Sequence, residues 1–271
     1  MKILIAVDME GISGVTSWDQ VDPGHAEYQR FRKIMTEDVN AAVRGAFDAG
    51  ADEVVIADGH WNSGNILIEQ LDPRARLNSG TPSPYSMLQG IDDNIDGTFF
   101  VGYHARAGSQ NAILDHTWSS RRIFNLWLNG ILVGEYGLNG ALCGHFNVPV
   151  LMISGDQTVC AQASELLGPL ETAVVKHATS RFAAECLPIP DAQELIYQAA
   201  RRGIENLKAG RTKPFRLVEP VQVTIEYAST DMADKAILLP GARRLDGRRI
   251  EFSAADMPGA YTSFRAAVNL A

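Results

Sequence analysis

Metal-ligand side chains follow three separate apolar runs of the chain. Asp8 and Glu10 come directly after the first run, His60 follows the second and His104 follows the third. The runs are residues 3–7, 53–57 and 98–101, and glycine follows each of them closely, which predicts buried strands. Imidazole and carboxylate together suit zinc, and also manganese, iron or cobalt. The pattern therefore indicates a metal site, although each residue alone is typical of a turn, a helix cap or a structural histidine.

Glu135 is a fifth candidate ligand, at the start of a predicted helix. On its own it is typical of a first-turn acid that the helix dipole favours. Five side chains exceed the three that a catalytic zinc usually takes from protein, which suggests two ions. Asp8 and Glu10 project to the same side of an extended segment, so one can bridge both ions while the other binds one. Three carboxylates against two divalent cations leave about one positive charge, which suits the polarisation of a carbonyl for hydrolysis.

His116 is a candidate catalytic residue. It lies in a loop of small and polar residues, twelve positions after His104, where it could serve as proton donor, base or nucleophile. An exposed loop histidine without a catalytic role is the alternative. Asp58, two positions before His60, is either an acceptor that orients an imidazole or a turn residue. The other three histidines lack a comparable placement and are expected to be structural or surface residues: His25, His145 and His177.

The elements that must position these residues begin with a strand, a helix and a second strand. The helix is predicted over residues 26–49, where apolar side chains recur at three- and four-residue spacing until Gly50. Such a unit implies parallel strands whose carboxyl ends share one edge of a sheet, which is where ligands bind in α/β proteins. We predict an α/β fold, a mostly parallel sheet flanked by helices with a smaller C-terminal α+β portion. Pro188 and Pro190 suggest a metal-binding catalytic domain over residues 1–188 and a smaller domain over residues 189–271.

Composition excludes several classes of partner. The 271 residues include 24 basic and 32 acidic side chains, for a net charge of -8, and no basic cluster. Nucleic acid and anionic membranes are therefore not expected as partners. No apolar run reaches the roughly 18–20 residues of a membrane span, and the amino terminus lacks the pattern of a signal peptide. Cys143, Cys160 and Cys186 lack CxxC spacing, so we expect reduced thiols in a cytoplasmic protein.

Six motifs follow one another in sequence order: VDMEGISG from Val7, IMTEDVN in the first long helix, ADGH ending at His60, GYHARA around His104, DHTW around His116 and VGEYGLN around Glu135. In this order they resemble the dinuclear zinc D-aminopeptidases of the M55 peptidase class, and VPVLMISGD over residues 148–156 also resembles the next strand of that family. The resemblance covers the chain from its start to about residue 185 and is weaker beyond. The loop after His104 departs from it locally.

The resemblance implies a self-associating enzyme that removes N-terminal residues, preferentially D-amino acids such as D-Ala, from short peptides. It implies two zinc ions per subunit, with Asp8 bridging them. Glu10 and His104 would serve one ion, and His60 and Glu135 the other. The proposed nucleophile of the family falls on His116, and a decameric ring is the expected assembly.

Two other functions stay open on the sequence alone. One is a dinuclear metal amidase or phosphoesterase acting on a small substrate. Phosphate recognition needs convergent basic groups, and only three arginines lie nearby: Arg106, Arg121 and Arg122. The other is a non-catalytic, metal-stabilised oligomeric scaffold. The stereoisomer that is cleaved is not encoded by residue type, because pocket shape distinguishes D from L residues.

Overall fold

The computed structural model describes all 271 residues. Its strands in chain order are β1 Lys2–Val7, β2 Glu53–Asp58, β3 Ala75–Asn78, β4 Gly97–Val101, β5 Ile123–Leu128, β6 Ile131–Val133, β7 Val150–Asp156, β8 Glu171–Ser180, β9 Ala183–Cys186, β10 Val221–Tyr227, β11 Arg243–Arg244 and β12 Arg249–Ala254. Its α-helices are α1 Ala26–Asp48, α2 Glu135–His145, α3 Gln157–Leu167, α4 Ile189–Lys208, α5 Thr230–Ala236 and α6 Met257–Leu270.

The main sheet has seven strands in the order β3-β2-β1-β4-β7-β8-β9. All neighbouring pairs are parallel except β8 and β9, which confirms the predicted mostly parallel α/β sheet. Chain order along the sheet reverses between β1 and β4. In open α/β sheets the crevice outside the carboxyl ends of strands at such a reversal is the usual ligand site. The fold therefore places its natural binding crevice beyond Val7 and Val101.

The first strand is apolar on both faces because each face of the sheet is covered. Ile3, Ile5 and Val7 belong to a core shared with α1 and α4, whereas Leu4 and Ala6 belong to a second core shared with α2 and α6. All five side chains are fully buried. Each large aliphatic side chain buried in this way contributes about 1.5–3 kcal/mol. Packing on both faces fixes the strand whose end carries Asp8 and Glu10.

A second, antiparallel sheet covers one side of the molecule in the order β11-β12-β10-β5-β6. Asn129 and Gly130, with φ of 48° and 79°, form the tight turn between β5 and β6, as the sequence predicts. This hairpin precedes residue 188, yet it pairs with β10, which follows it. Helix α4 likewise packs on α1 and β8. The division of the chain at residue 188 stays a prediction, and the second sheet draws strands from both sides of it.

None of the helices is long and apolar enough to cross a membrane.

Candidate metal centre

Five acidic and histidine side chains meet at the carboxyl edge of the main sheet, where its strand order reverses. Each is at most 6% exposed, although all five are polar or charged: Asp8, Glu10, His60, His104 and Glu135. Charged groups are rarely buried so completely unless they pair with one another or bind a metal. The structure thus brings together all five ligands proposed from the sequence, and His116 lies beside them.

Two glycines let the loops after β1 and β4 come into contact. The Gly11 amide donates to the Gly102 carbonyl at 2.8 Å. A Cβ on Gly11 would lie 2.0 Å from the carbonyl oxygen of Tyr103, and a Cβ on Gly102 would lie 2.2 Å from that of Asp8. Gly102 also has a φ of +74°, which other residues rarely adopt. Side chains at these positions would separate Asp8 from His104.

Asp8 lies between two groups of donors. Its Oδ1 is 3.2 Å from His60 Nδ1, and its Oδ2 is 3.3 Å from His104 Nε2. Glu10 Oε2 lies 3.1 Å from the same His60 nitrogen, and Glu135 Oε1 lies 3.0 Å from the same His104 nitrogen. One group is therefore Asp8, Glu10 and His60, and the other is Asp8, His104 and Glu135. The shortest distances thus group Glu10 with His60, whereas the resemblance implies Glu10 with His104, a set that together with Asp8 also has its donor atoms within 4.8 Å of one another.

Each histidine of the centre contacts a backbone carbonyl through the ring nitrogen that faces away from the carboxylates. The pairs are His60 Nε2 with Val21 (2.9 Å), His104 Nδ1 with Ala105 (3.0 Å) and His116 Nδ1 with Leu114 (2.8 Å). In the neutral ring the nitrogen facing the carbonyl then carries the proton and donates it. The other nitrogen presents its lone pair to the carboxylates. This is how metal-ligating histidines are normally oriented.

The unsatisfied atoms of the centre test whether a cation fits it. Asp8 Oδ2, Glu10 Oε2 and His104 Nε2 are buried and have no hydrogen-bond partner. Oxygen and nitrogen lone pairs that face each other at 3.0–3.3 Å repel unless a cation or a proton lies between them. Donor atoms within 4.8 Å of one another form two sets, Asp8–Glu10–His104 and His104–His116–Glu135. The residues fit zinc, which prefers such nitrogen and oxygen ligands.

The electrostatics of the centre also favour positive charge. Burial lowers the pKa of His60, but Glu10 and Asp8 outweigh burial and hold that pKa well above its usual range. Burial likewise opposes the raised pKa of His104, which Glu135 and Asp8 hold well above its usual range. Burial raises the pKa of Asp8, yet the two histidines hold it well below its ordinary value. Protons and metal ions therefore compete for the same donors.

His116 stacks on His104, with ring centroids 3.9 Å apart and planes 9° apart. Its Nε2 lies 3.8 Å from Glu10 Oε1 and 3.7 Å from Glu135 Oε1. Burial, together with the charge of His104, lowers the pKa of His116 to about 4. Trp18 contacts the His116 ring edge-on, with centroids 5.5 Å apart. His116 is thus a fixed, buried, neutral imidazole, and the exposed loop histidine considered from the sequence is not what the structure has.

Glu135 is the first residue of α2, where the helix dipole favours its charge. Its Oε1 accepts a 2.7 Å hydrogen bond from the backbone amide of Trp118, two residues after His116. Trp118 has a φ of +63° and packs edge-on against Tyr261 and Phe264 of α6. The loop that carries His116 is therefore tied both to a metal-ligand candidate and to the C-terminal helix.

The centre opens into a cavity of about 470 Å³. Asp8, Glu10, His60, His116 and Glu135 contribute to its wall. Its other lining includes three tryptophans and two arginines that the sequence did not mark as a group: Trp18, Trp61, Trp118, Arg121 and Arg122. Trp61 is 62% exposed, whereas the metal-ligand candidates are almost inaccessible. The donors therefore lie at the floor of the cavity and Trp61 at its mouth.

Asp58 organises the turn that carries His60 and contacts neither ring nitrogen. Its carboxylate accepts from the Asn65 amide at 2.5 Å and from the Ile66 amide at 2.9 Å. Asn65 in turn donates through Nδ2 to the His60 carbonyl at 2.6 Å. The remaining histidines lie outside the centre: His25 pairs with Asp19 at the surface, His145 pairs with Glu219, and His177 lies on β8.

Sequence reasoning did not identify two buried charged groups that hold the loop after β1. Lys176 of β8 donates to three backbone carbonyls of this loop, and Asp38 of α1 accepts from the Ser13 amide. The signal for Lys176 was a lone lysine at the end of the apolar run TAVVK. Asp38 lies on the buried side of a helix whose other buried residues are mostly apolar.

Comparison with known proteins gives matches over the whole chain. Residues 1–266 match the family Peptidase_M55, described as D-aminopeptidase. A D-aminopeptidase of Bacillus subtilis (strain 168) is 37% identical over 272 residues, covering 100% of this chain and 98% of the relative. A solved structure, the Zn-dependent D-aminopeptidase DppA from Bacillus subtilis, described as a self-compartmentalizing protease, superposes with a TM-score of 0.96. Its identity is 36%, covering 100% of this chain and 97% of the other.

Proposed function

The chain belongs to the M55 family of D-aminopeptidases, and from this membership and the buried donor set we propose that it is a zinc-dependent aminopeptidase. Its substrates would be short peptides from which it removes an N-terminal D-amino acid, such as D-Ala. The observation that carries the proposal is the position of Asp8 between two donor groups in the wall of a cavity of about 470 Å³.

We propose two zinc ions per subunit. Asp8 would be shared, Glu10 and His60 would complete one site, and His104 and Glu135 would complete the other. The support is the distances of 3.0–3.3 Å that join Asp8, the glutamates and the histidines into these two groups. Zinc, when bound, supplies Lewis-acid polarisation of the scissile carbonyl and of water.

The chain's own residues handle the proton and the substrate. The lone pair of His116 Nε2 faces the cavity between Glu10 and Glu135, so this nitrogen can take up a proton or attack a carbonyl. Both roles need His116 unprotonated in the resting enzyme, which its low pKa provides. Stacking on His104 and the bond to Leu114 hold the ring in one orientation.

Zinc analysis combined with initial rates tests the proposal. We expect about two zinc ions per chain and faster hydrolysis of D-Ala-D-Ala than of L-Ala-L-Ala, with loss of activity on chelation and recovery with added zinc. A phosphodiester assayed beside the peptides should not be turned over, and turnover of the phosphodiester without turnover of any peptide would favour the phosphoesterase alternative. Full activity after chelation would overturn the proposal. Tightly held zinc without turnover of any peptide would instead favour a metal-stabilised scaffold.

We further propose that the chain forms a homo-oligomer and, more specifically, a decameric ring. The support is the structural relative, described as a self-compartmentalizing protease, that superposes over the full chain. Light scattering on the purified protein should give a mass near ten times 29.5 kDa, and a monomer would contradict the proposal. A cytoplasmic location is also a proposal, supported by three cysteines that form no disulfide.

A further inference from the structure

Two guanidinium groups line the cavity without an acidic partner. Arg121 and Arg122 both contribute to its wall. Arg122 donates to a backbone carbonyl, and neither side chain forms an ion pair. The carboxylates of the same cavity belong to the metal centre. Arg121 is exposed, as unpaired arginines ordinarily are, whereas Arg122 is half-buried and has no acidic partner in a chain with a net charge of -8, so Arg122 is the group that an anion from outside the chain would neutralise.

Arg122 is the better fixed of the two. Its backbone amide donates to Ser119 at 3.1 Å, and its carbonyl accepts from the Ala228 amide at 2.8 Å. Its side chain is half-buried, and Nη1 donates to the Val268 carbonyl in the last turn of α6 at 3.0 Å. This anchor leaves the other N–H donors of the guanidinium without a protein partner. A guanidinium held in this way loses little freedom when it binds a carboxylate.

The segment that carries Arg122 is continuous with the metal centre. His116 lies six positions before it, and the Trp118 amide, four positions before it, donates to Glu135. The cavity therefore has a floor of metal-ligand candidates and a positively charged wall supplied by the same segment of the chain. When the N-terminal peptide bond of a short peptide lies at the metal centre, the C-terminal carboxylate lies farther along the cavity, where a cationic wall complements its charge. An extended dipeptide is roughly 7 Å long, which a cavity of about 470 Å³ accommodates.

We propose that Arg122 binds the C-terminal carboxylate of the peptide substrate and so selects di- and tripeptides with a free C-terminus. The inference rests on the proposed aminopeptidase function and deepens it. Two N–H donors of a guanidinium match the two oxygens of a carboxylate, and this bidentate geometry favours arginine over lysine. The carboxylate that Arg122 recognises is thus carried by the substrate, and binding it sets the distance between the C-terminus and the scissile bond.

Kinetics on D-Ala-D-Ala and on its C-terminal amide test the proposal. The wild-type enzyme should have a lower KM for the free acid. R122M should raise the KM for the free acid roughly 10- to 100-fold, the loss expected for hydrogen bonds to a charged group, with little change for the amide. R122K should lie between the two, because it retains the charge but not the bidentate geometry. R106M is the matched control, since Arg106 is also half-buried and donates through Nη1 to a backbone carbonyl, but does not line the cavity.

Several results would overturn the role of Arg122. An equal loss on the acid and the amide in R122M would mean that the side chain only caps α6 through Val268. A wild-type enzyme that does not distinguish the acid from the amide would exclude carboxylate recognition. A larger selective effect in R121M would move the role to the neighbouring arginine. If the wild-type enzyme hydrolysed neither peptide, the proposed function itself would fail, which is a distinct outcome from the loss of selectivity.

Discussion

The ammonium group of Lys176 donates a 2.7 Å hydrogen bond to the backbone carbonyl of Glu10. It also donates to the carbonyls of Ile12 at 2.9 Å and Val15 at 2.8 Å. Lys176 is fully buried, and burial lowers its pKa to about 8, so it is still mostly charged at neutral pH. One cation therefore satisfies three carbonyls of the irregular loop that carries two candidate metal ligands.

Lys176→Met should weaken both the fold and the metal centre. The substitution leaves three buried carbonyls without a donor, so we expect the free energy of unfolding to fall by about 3 kcal/mol. Zinc affinity should fall roughly 10-fold or more, as for other groups that orient metal ligands. Urea unfolding and competition with a chromophoric chelator measure the two effects.

The control for Lys176 is Ile196→Ala in α4, a buried apolar residue of the core whose side chain offers no hydrogen bond to the loop. It should reduce stability by about 2–5 kcal/mol while leaving the zinc affinity unchanged. If Lys176→Met reduced stability but kept the zinc affinity of the wild type, the lysine would support the fold alone.

Asp38 holds the same loop from α1 and gives stability a dependence on pH. It accepts from the Ser13 amide at 3.0 Å, and burial raises its pKa to about 6 from the 3.8 of an unperturbed aspartate. A raised carboxyl pKa contributes stability that is fully present below the unfolded value and lost as pH rises through the folded value. The free energy of unfolding of the wild type, measured relative to D38N in zinc-free protein, should therefore fall between about pH 4 and pH 7. A difference that is constant over this range would contradict the raised pKa.

Replacement of Asp8 should reduce zinc content and activity more than replacement of Glu10. Asp8 faces both histidines, whereas Glu10 Oε2 faces His60 alone at the short distance of 3.1 Å. Asp8→Ala should therefore leave fewer than one zinc ion per chain and reduce kcat/KM by roughly 1000-fold or more. Glu10→Gln should retain one ion and part of the activity. Zinc analysis of both proteins is the measurement, and equal zinc loss in the two would argue against a shared Asp8.

The sequence predicts the elements whose physical signals are local. The apolar run before Asp8, the periodic helix α1 and the Asn129-Gly130 turn each carry their own signal. Strand β3 gave no signal because it is short, polar and at a sheet edge. Strand β8 extends to Ser180, beyond its apolar run, because its polar end pairs with β9.

The long-range contacts of the centre, in contrast, cannot be predicted from a local stretch of sequence. A lysine that ends an apolar run is expected at the surface, and the three carbonyls that it contacts lie more than 160 residues earlier in the chain. The pairing of Glu10 with His60 depends on side-chain positions that spacing alone does not define. The anchor between Arg122 and Val268 joins residues 146 positions apart. Such contacts follow from the fold and leave no mark in a short stretch of sequence.

Measuring both activity and zinc content in a His116 variant distinguishes a residue that reacts with the substrate from one that binds zinc. His116→Ala should reduce kcat roughly 10²- to 10⁴-fold, the usual effect of losing a general acid or base. Zinc should stay near two ions per chain, because His116 Nε2 lies at 3.7–3.8 Å from the nearest carboxylate oxygens, farther than the nitrogens of His60 and His104. His145→Ala, which removes a surface pair with Glu219, should change neither quantity. If zinc content fell in parallel with activity, His116 would belong to the donor set with His104 and Glu135, and the proton would have to be handled by another group of the cavity.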